Sequence, residues 1–418
     1  MDVPRLTTFI EDFSFGYPFV MAWYWMAGGL LYQLFRGRFE PNYDTPPKLD
    51  GYPLVTILIP CHNEEAEAEE TLTALANLDY PNYDIIAIND GSTDRTAEIL
   101  DGLAARIPRL HVAHLAQNQG KSTAMNIGAH LARSEILVGT DGDALLDRHS
   151  LTWFVSRLQS DRRIGGVTGN PRIRNRATLL GQLQVGEYSS IVGLIKRAQS
   201  VYGWIFTVSG VMCAFRRRAL HEIGFWSPTT LTDDVEVSWR MQLAGWRIAY
   251  EPKALCWILM PETLKGLWRQ RLRWSTGGTQ AVIAATPLVL FRGRFAMLVI
   301  WLNYVASILW AYTVVVGVAL WVIDVGLFRL GNFAPIMNPV PSWWGGALAF
   351  TYFCQAMVSV MLDTRFERGM YRSLFWVVWF PLVFWLLQAC TAVVGLPKAI
   401  FRRRDAYGTW ISPDRGIR

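Results

Sequence analysis

The chain has 418 residues, a formal net charge of +6, 51% hydrophobic residues and 18% charged residues. That charge content is low for a soluble protein, and it is uneven: the stretches 13–35, 296–323, 342–362 and 373–396 contain no Asp, Glu, Lys or Arg. A disordered chain, a fibrous repeat and a purely soluble enzyme are excluded, and a globular domain set between membrane segments is indicated.

The first stretch, 13–35, is long enough to span a bilayer as a helix. It is not a cleaved leader, because Asp2, Glu11 and Asp12 precede it where a basic region would stand. Arg36 and Arg38 follow it directly and place 36–295 on the cytoplasmic side. A Pro-rich linker occupies 39–53. Strands are then expected at 55–59, 84–88, 111–115 and 136–140, and helices at 65–77, 93–106 and 121–132. This alternation is that of βαβ units in a parallel sheet.

Ligands of such sheets bind at the carboxyl ends of the strands. Polar motifs stand there four times, at 60–65, 89–94, 117–121 and 141–143. No G-x-G-x-x-G follows the first strand, and Gly120-Lys121-Ser122 lacks the first glycine of a P-loop, so dinucleotide and P-loop readings are weak. Asp141-Gly142-Asp143 suits Mg²⁺ or Mn²⁺ shared with a phosphate, or else an ordinary Asp-Gly turn. Asp90 can accept from a uracil imide, or form an Asx-turn with capping by Ser92 or Thr93. Lys121 stands where a helix N-terminus could meet a diphosphate, or is a solvated lysine.

Thr232-Asp233-Asp234 is a second acidic pair. Asp234 suits a general base, and Thr232 or Asp233 suits the cap of a helix over 235–244. In Gln270-Arg271-Leu272-Arg273-Trp274, Arg273 can stabilise a leaving diphosphate. Trp274 offers a flat face for a sugar. The surrounding 262–291 equally suits an amphipathic helix at a membrane surface. His62 reads as a loop histidine. Cys61, Cys213, Cys256, Cys354 and Cys390 form no CxxC pair and read as reduced.

After the second and third spans comes a short basic turn with Arg365, Arg368 and Arg372, as expected of an inside loop. Four alternating spans would then put the tail outside, whereas Lys398, Arg402, Arg403 and Arg404 favour the inside. A re-entrant last segment at Pro381, or an interfacial upstream segment, would resolve the conflict.

Taken together, these motifs resemble the membrane-embedded, processive family-2 glycosyltransferases. The family pattern P-x-x-N-E corresponds to Pro60, Asn63 and Glu64, followed by Asp90, D-x-D at Asp141 and Asp143, and Q-x-x-R-W at Gln270, Arg273 and Trp274. The family's T-E-D reads Thr232-Asp233-Asp234, with Asp in place of Glu. Within the family the stretches 116–121, 169–173, 184–190, 207–211, 214–220, 255–264 and 410–416 resemble the branch that makes poly-β-1,6-N-acetylglucosamine, a biofilm exopolysaccharide.

The resemblance implies a GT-A-type, Rossmann-like domain with a mostly parallel sheet over 36–260, inserted between transmembrane helices. Interfacial helices carrying the QRLRW motif follow at 261–295, then spans at 296–323 and 342–362, a spanning or re-entrant segment at 373–396, and a basic tail at 397–418. It implies an inverting transfer from UDP-N-acetylglucosamine, with uracil near Pro60, Glu64 and Asp90. Asp141 and Asp143 would hold nucleotide and metal, and Lys121 and Arg273 the diphosphate. Asp234, with Asp233 beside it, would take the proton from O6 of the growing polysaccharide. Gln270 and Trp274 would face that acceptor, and Arg172, Ser209 and Arg216 would contact donor or acceptor.

The resemblance also implies a bacterial inner-membrane location, export of the chain through the bilayer, and a small membrane partner subunit with cyclic di-GMP at the shared interface. No R-x-x-x-R…D-x-S-x-x-G motif for cyclic di-GMP is present. The modest charge does not indicate nucleic acid. Open alternatives are a sister synthase (chitin-oligomer, hyaluronan or cellulose type), a transferase to a lipid phosphate, and a non-catalytic nucleotide-sensing membrane scaffold.

Overall fold

The computed structural model describes residues 3–292, 295–323, 343–367, 369–377 and 384–402. Its centre is an eight-stranded sheet of order β3-β2-β1-β4-β7-β6-β8-β5. The strands are β1 (Val55–Cys61), β2 (Tyr83–Asp90), β3 (Leu110–Leu115), β4 (Ile136–Thr140), β5 (Leu145–Leu146), β6 (Ile164–Ile173), β7 (Met212–Arg216) and β8 (Arg247–Ile258). Strand β1 is buried at every position, because its continuous apolar run has neighbours on both edges and helices on both faces. Pro60 is tolerated there because β4 pairs with β1 only as far as Leu58, so that edge requires no N–H from it.

Three βαβ steps build the first half. They use α2 (Ala68–Ala76), α3 (Thr96–Ala104) and α4 (Lys121–Leu131), and their strands pair in parallel. Beyond β4 the expectation of a mostly parallel sheet needs correcting. The β4–β7, β6–β7 and β5–β8 pairs are antiparallel, and of the later pairs β6–β8 alone is parallel. The antiparallel β4–β7 pair matters for the site. It sets Thr140, at the end of β4, opposite Met212, at the start of β7. The loop entering β7 therefore arrives directly beside the acidic turn that leaves β4.

Apolar side chains fill both faces of the sheet. Leu72, Leu75, Leu100, Leu103 and Phe154 lie on one side. Ala124, Met125, Leu220, Val237 and Met241 lie on the other. Phe154 belongs to α5 (Ser150–Gln159), Leu220 to α8 (Arg217–Glu222), and Val237 and Met241 to α9 (Asp233–Leu243). Between β6 and β7 run α6 (Leu179–Tyr188), a π-helical segment Ser189–Ile195 and α7 (Lys196–Tyr202).

The remaining helices enclose this domain: α1 (Val3–Phe35), α10 (Leu264–Arg292), α11 (Phe295–Trp321), α12 (Trp343–Asp363), α13 (Ser373–Val377) and α14 (Leu386–Phe401). Among the described residues, two stretches are long and apolar enough to cross a membrane, Phe295–Trp321 and Gly345–Asp363. The charge-free stretch 13–35 lies within a longer helix that begins at Val3. The stretch 373–396 divides between α13 and α14; Pro381, Arg368, Arg403, Arg404 and the tail through 418 lie outside the described residues. Arg365 donates to the carbonyl of Gly37 at 2.8 Å, so the basic turn after α12 lies beside the basic end of α1.

The catalytic domain is fastened to α12 by a buried charge cluster. Asp363, fully buried at the end of that helix, accepts from Arg172 of β6 at 2.6 Å, from Arg197 of α7 at 2.8 Å and from the Ser189 hydroxyl at 2.9 Å. Arg172 also bonds Glu367 at 3.1 Å, and Arg176 pairs with Glu367. A Cβ on Gly193 would lie 2.4 Å from the Asp363 carboxylate, so only glycine lets the π-segment close over it. This cluster corrects one expectation. Arg172, expected to contact donor or acceptor, does not line the cavity of the candidate site; its guanidinium is held in the domain–helix junction.

Removing one member of a buried ion cluster leaves uncompensated charge, at a cost of about 3–5 kcal/mol. Asp363→Asn should therefore lower the melting temperature of the detergent-solubilised protein sharply, and Gly193→Ala should do so by steric conflict with the same carboxylate. Thermal unfolding followed by intrinsic tryptophan fluorescence checks both.

Candidate active site

Three strand-end loops interlock on the β2 side. Asn63, just past β1, adopts φ +56°; its side-chain oxygen accepts from the Thr93 amide at 2.9 Å, and its own amide donates to Ser92 Oγ at 3.1 Å. The Glu64 amide donates to Thr96 Oγ1 at 2.7 Å. Asp90 is fully buried, and its two oxygens accept from the amides of Gln119 and Gly120, each at 2.8 Å. Asp90 thus shapes the loop that starts α4. Asp90, Pro60 and Glu64, the residues expected near uracil, are all buried, and none of them lines the cavity described below. The Glu64 side chain lies against Gly142, 3.1 Å from where a Cβ would stand, and links these loops to the Asp141–Asp143 turn.

The acidic centre draws on four elements. Asp141 and Asp143 follow β4, Asp233 and Asp234 open α9, Lys121 is the first residue of α4, and Ser209–Val211 enter β7. The Lys121 ammonium donates to Asp141 at 2.5 Å and to the Gly210 carbonyl at 3.1 Å. Burial works against its charge, but the carboxylates of Asp141, Asp233 and Asp234 outweigh burial and hold the ammonium above the ordinary lysine value. Lys121 is therefore a partner of Asp141 and not the solvated lysine that its position alone permits.

Asp234 has the opposite balance. Burial and the neighbouring Asp233 push its carboxyl up to about 6, against the pull of Lys121. Its Oδ1 accepts from the Val235 amide at 2.9 Å. A Cβ on Gly210 would meet its carboxylate at 3.4 Å. Thr232 does occupy the cap position of α9, but it makes no side-chain capping bond there, and its buried Oγ1 has no hydrogen-bond partner. Its position is set instead by α10, where a Cβ on Gly277 would lie 2.6 Å from the Thr232 methyl.

Helix α10 brings Gln270, Arg273 and Trp274 to the same cavity. Arg273 is exposed, with a long 3.4 Å contact to the Leu231 carbonyl, and so remains available to an anion. Arg271 is the buried member of the motif. It pairs with Glu187 at 2.5 Å and stands 4.2 Å over the Trp274 ring, and the half-buried indole packs against the core while lining the cavity. The Gln270 Oε1 is buried with no partner among the described residues. Ser209 lies at the cavity wall, where its hydroxyl accepts from Lys196 at 2.7 Å. Arg216 does not reach the cavity; at the far end of β7 it bonds the carbonyls of Ile164 and Leu158.

Sequence reasoning missed Glu187, Arg271 and Lys196. Lys196 is about 5% exposed and donates to Thr168 Oγ1 at 2.9 Å. Burial pulls its ammonium down to about 7, opposed by Asp234. The signal for Glu187 was a lone acidic residue in an otherwise uncharged helix, 179–188.

The cavity has a volume of about 1000 Å³. Its floor is the acidic centre, and its walls extend to Tyr304, Ser307 and Ile308 of α11 and Gln388, Thr391 and Lys398 of α14. Among the described residues no set of three His, Cys, Asp or Glu side chains is grouped to hold a metal alone. The hard oxygen donors of Asp141 and Asp143 fit a divalent cation that completes its shell with substrate phosphate.

Paired carboxylates at a strand end, a carboxylate of raised pKa in the same cavity, and an arginine and a tryptophan on its wall suit an enzyme that transfers a group from a phosphate-linked donor. The chain matches the family model "Glycosyltransferase like family 2" over residues 53–277 and belongs to that family. It is 35% identical to the poly-β-1,6-N-acetyl-D-glucosamine synthase of Staphylococcus aureus strain COL, over 97% of this chain and 98% of that one. It is 33% identical, over the same shares, to the synthase of the same name from Staphylococcus epidermidis. A mannosyltransferase from Pyrobaculum calidifontis, solved with GDP-mannose and Mn²⁺, aligns in structure with a TM-score of 0.64 at 19% identity, covering 95% of this chain and 98% of that one. The fold is thus GT-A-like, with a mixed sheet, and the protein is a glycosyltransferase.

Asp234 is the expected general base, and replacing a general base costs on the order of 10²–10⁴ in rate. Asp234→Asn should lower turnover on that scale and leave donor affinity unchanged, read from initial rates with labelled donor. A base must be ionised. Because burial raises Asp234 to about 6, the ionised fraction falls as pH drops through that value. The wild-type kcat/KM should therefore decline about tenfold per pH unit below about 6, measured as a pH–rate profile.

Proposed function

We propose that this protein polymerises N-acetylglucosamine from UDP-N-acetylglucosamine into a β-1,6-linked chain and passes that chain across the membrane in which it sits. The observation that carries the reading is end-to-end similarity at 35% identity to a named poly-β-1,6-N-acetyl-D-glucosamine synthase. The cavity that joins the acidic centre to α11 and α14 supports it.

In this reading the nucleotide lies on the β2 side, against Pro60, Glu64 and Asp90. Lys121 and Arg273 neutralise the diphosphate. Asp141 and Asp143 would hold Mg²⁺ or Mn²⁺, which when bound supplies positive charge to the leaving UDP. Asp234 takes the proton from the acceptor hydroxyl as that oxygen attacks C1 of the donor sugar. The C1–O bond to UDP breaks, UDP leaves with the electron pair, and an α-linked donor becomes a β-linked product. Trp274, on the cavity wall, receives the acceptor sugar, and Gln270, whose oxygen has no partner among the described residues, takes a sugar hydroxyl.

The product leaves along the wall formed by Tyr304, Ser307 and Gln388. A donor made in the cytoplasm and a polymer needed outside explain why one chain joins a transferase to membrane helices. The domain limits, the placement of 36–260 on the cytoplasmic side and the inner-membrane location belong to this reading. So does activation by a small membrane partner subunit with cyclic di-GMP.

Membranes carrying the chain, with and without that partner, are to be given labelled UDP-N-acetylglucosamine and Mg²⁺. The expected result is a high-molecular-weight product cut by a β-1,6-specific N-acetylglucosaminidase and absent after chelation by EDTA. A product that resists the enzyme points to a sister synthase, and no product under any condition defeats the reading.

A further inference from the structure

The mechanism above leaves one buried cation of the cavity without a task. Lys196 opens α7 directly after the π-helical segment Ser189–Ile195, a backbone irregularity of a kind often found at functional sites. Its side chain is almost fully buried, yet it lines the cavity. An ammonium has three donors. Among the described residues two are used, on Thr168 Oγ1 at 2.9 Å and Ser209 Oγ at 2.7 Å. Thr168 Oγ1 in turn accepts the Ser209 amide at 2.9 Å, so both anchors are themselves fixed.

The direction of the third donor follows from the contacts around it. Lys121 is bonded to Asp141 at 2.5 Å and so belongs to the diphosphate side. Lys196 is bonded instead to Ser209, next to Gly210, whose Cβ position lies 3.4 Å from the Asp234 carboxylate. Asp234 faces the acceptor if it is the base. A cation that faces the base but is not held by the Asp141–Asp143 turn stands on the acceptor side. Arg197, the next residue, points the other way into the Asp363 cluster, and this pins the start of α7 so that Lys196 is held in place.

We propose that Lys196 binds the acceptor: its remaining N–H meets an oxygen of the terminal sugar of the growing chain and sets that sugar's hydroxyl against Asp234. This rests on the polymerase reading, and it assigns Lys196 and its anchors Thr168 and Ser209 to the acceptor subsite. A lysine that only ties Thr168 to Ser209 would stabilise the loop into β7 without affecting the acceptor.

The test uses the full chain with its partner subunit, labelled UDP-N-acetylglucosamine, and a soluble β-1,6-linked N-acetylglucosamine oligomer as primer. Primer KM, donor KM, kcat and product length are measured separately, with a melting curve for each variant. Loss of a charged hydrogen bond corresponds to roughly tenfold or more in affinity. Lys196→Met should raise the primer KM by about that factor, leave the donor KM unchanged and shorten the products. Lys196→Arg should recover part of the loss, because it keeps the cation. Ser209→Ala should show a smaller shift in the same direction.

An unchanged primer KM in Lys196→Met overturns the proposal. So does a parallel rise in primer and donor KM, or a lowered melting temperature in Ser209→Ala with the primer KM unmoved. A wild type that elongates no primer defeats the polymerase reading and this inference with it. A wild type that elongates normally beside an equally active Lys196→Met defeats this inference alone.

Discussion

The arrangement of this enzyme depends on Asp363. Two guanidiniums and a hydroxyl converge on one carboxylate that is wholly removed from water. Such a cluster is expensive to desolvate and tolerates little displacement once formed. It joins three parts that are distant in sequence: the end of β6 through Arg172, the π-segment and α7 through Ser189 and Arg197, and the end of α12. Because Arg197 is fixed, Lys196 beside it is fixed, and so is the wall of the cavity next to Asp234. A catalytic domain that rocked on its apolar helices would lose register between the site and α11 and α14.

The site itself illustrates how a small set of carboxylates is given different tasks by its surroundings. Asp141 is paired with the Lys121 ammonium at 2.5 Å. Asp234 is pushed up to about 6 by burial and by Asp233. Burial and a neighbouring like charge are the usual means by which a carboxyl is brought toward the pH range of proton transfer. Helix α10 closes the arrangement. Its exposed Arg273 faces the cavity, while its buried Arg271 is committed to Glu187 and to one face of Trp274. Two arginines two residues apart thus differ in role because one lies inside the protein and the other outside it.

The first half of the fold was legible in the sequence because it is local. Strands and helices there alternate, each apolar run is followed by a polar turn, and the four expected strands coincide with β1 to β4 to within a few residues. The second half was not. Antiparallel β7, and the β6–β8 pair whose strands are separated by more than seventy residues, are set by long-range pairing that no periodicity records. Arg172 and Arg216 show the same limit. Both sit in stretches that resemble the family, and the residue type suited a phosphate, yet one is paired with Asp363 and Glu367 and the other with backbone carbonyls. Their partners are separated from them by tens to hundreds of residues, so no local pattern could announce them.

Sequence alone determined the chemistry available: Asp141, Asp143, Asp234 and Lys121 at strand or helix ends, Arg273 and Trp274 within α10, and the apolar segments that surround the catalytic domain. Those are matters of residue type and local spacing. Tertiary structure decided which charges are spent on architecture and which face the cavity. It paired Lys121 with Asp141, raised Asp234, buried Arg271 and turned Lys196 inward. The physical reason is that the ionisation and availability of a side chain depend on burial and on the charge a few ångströms away, and both are properties of the folded chain.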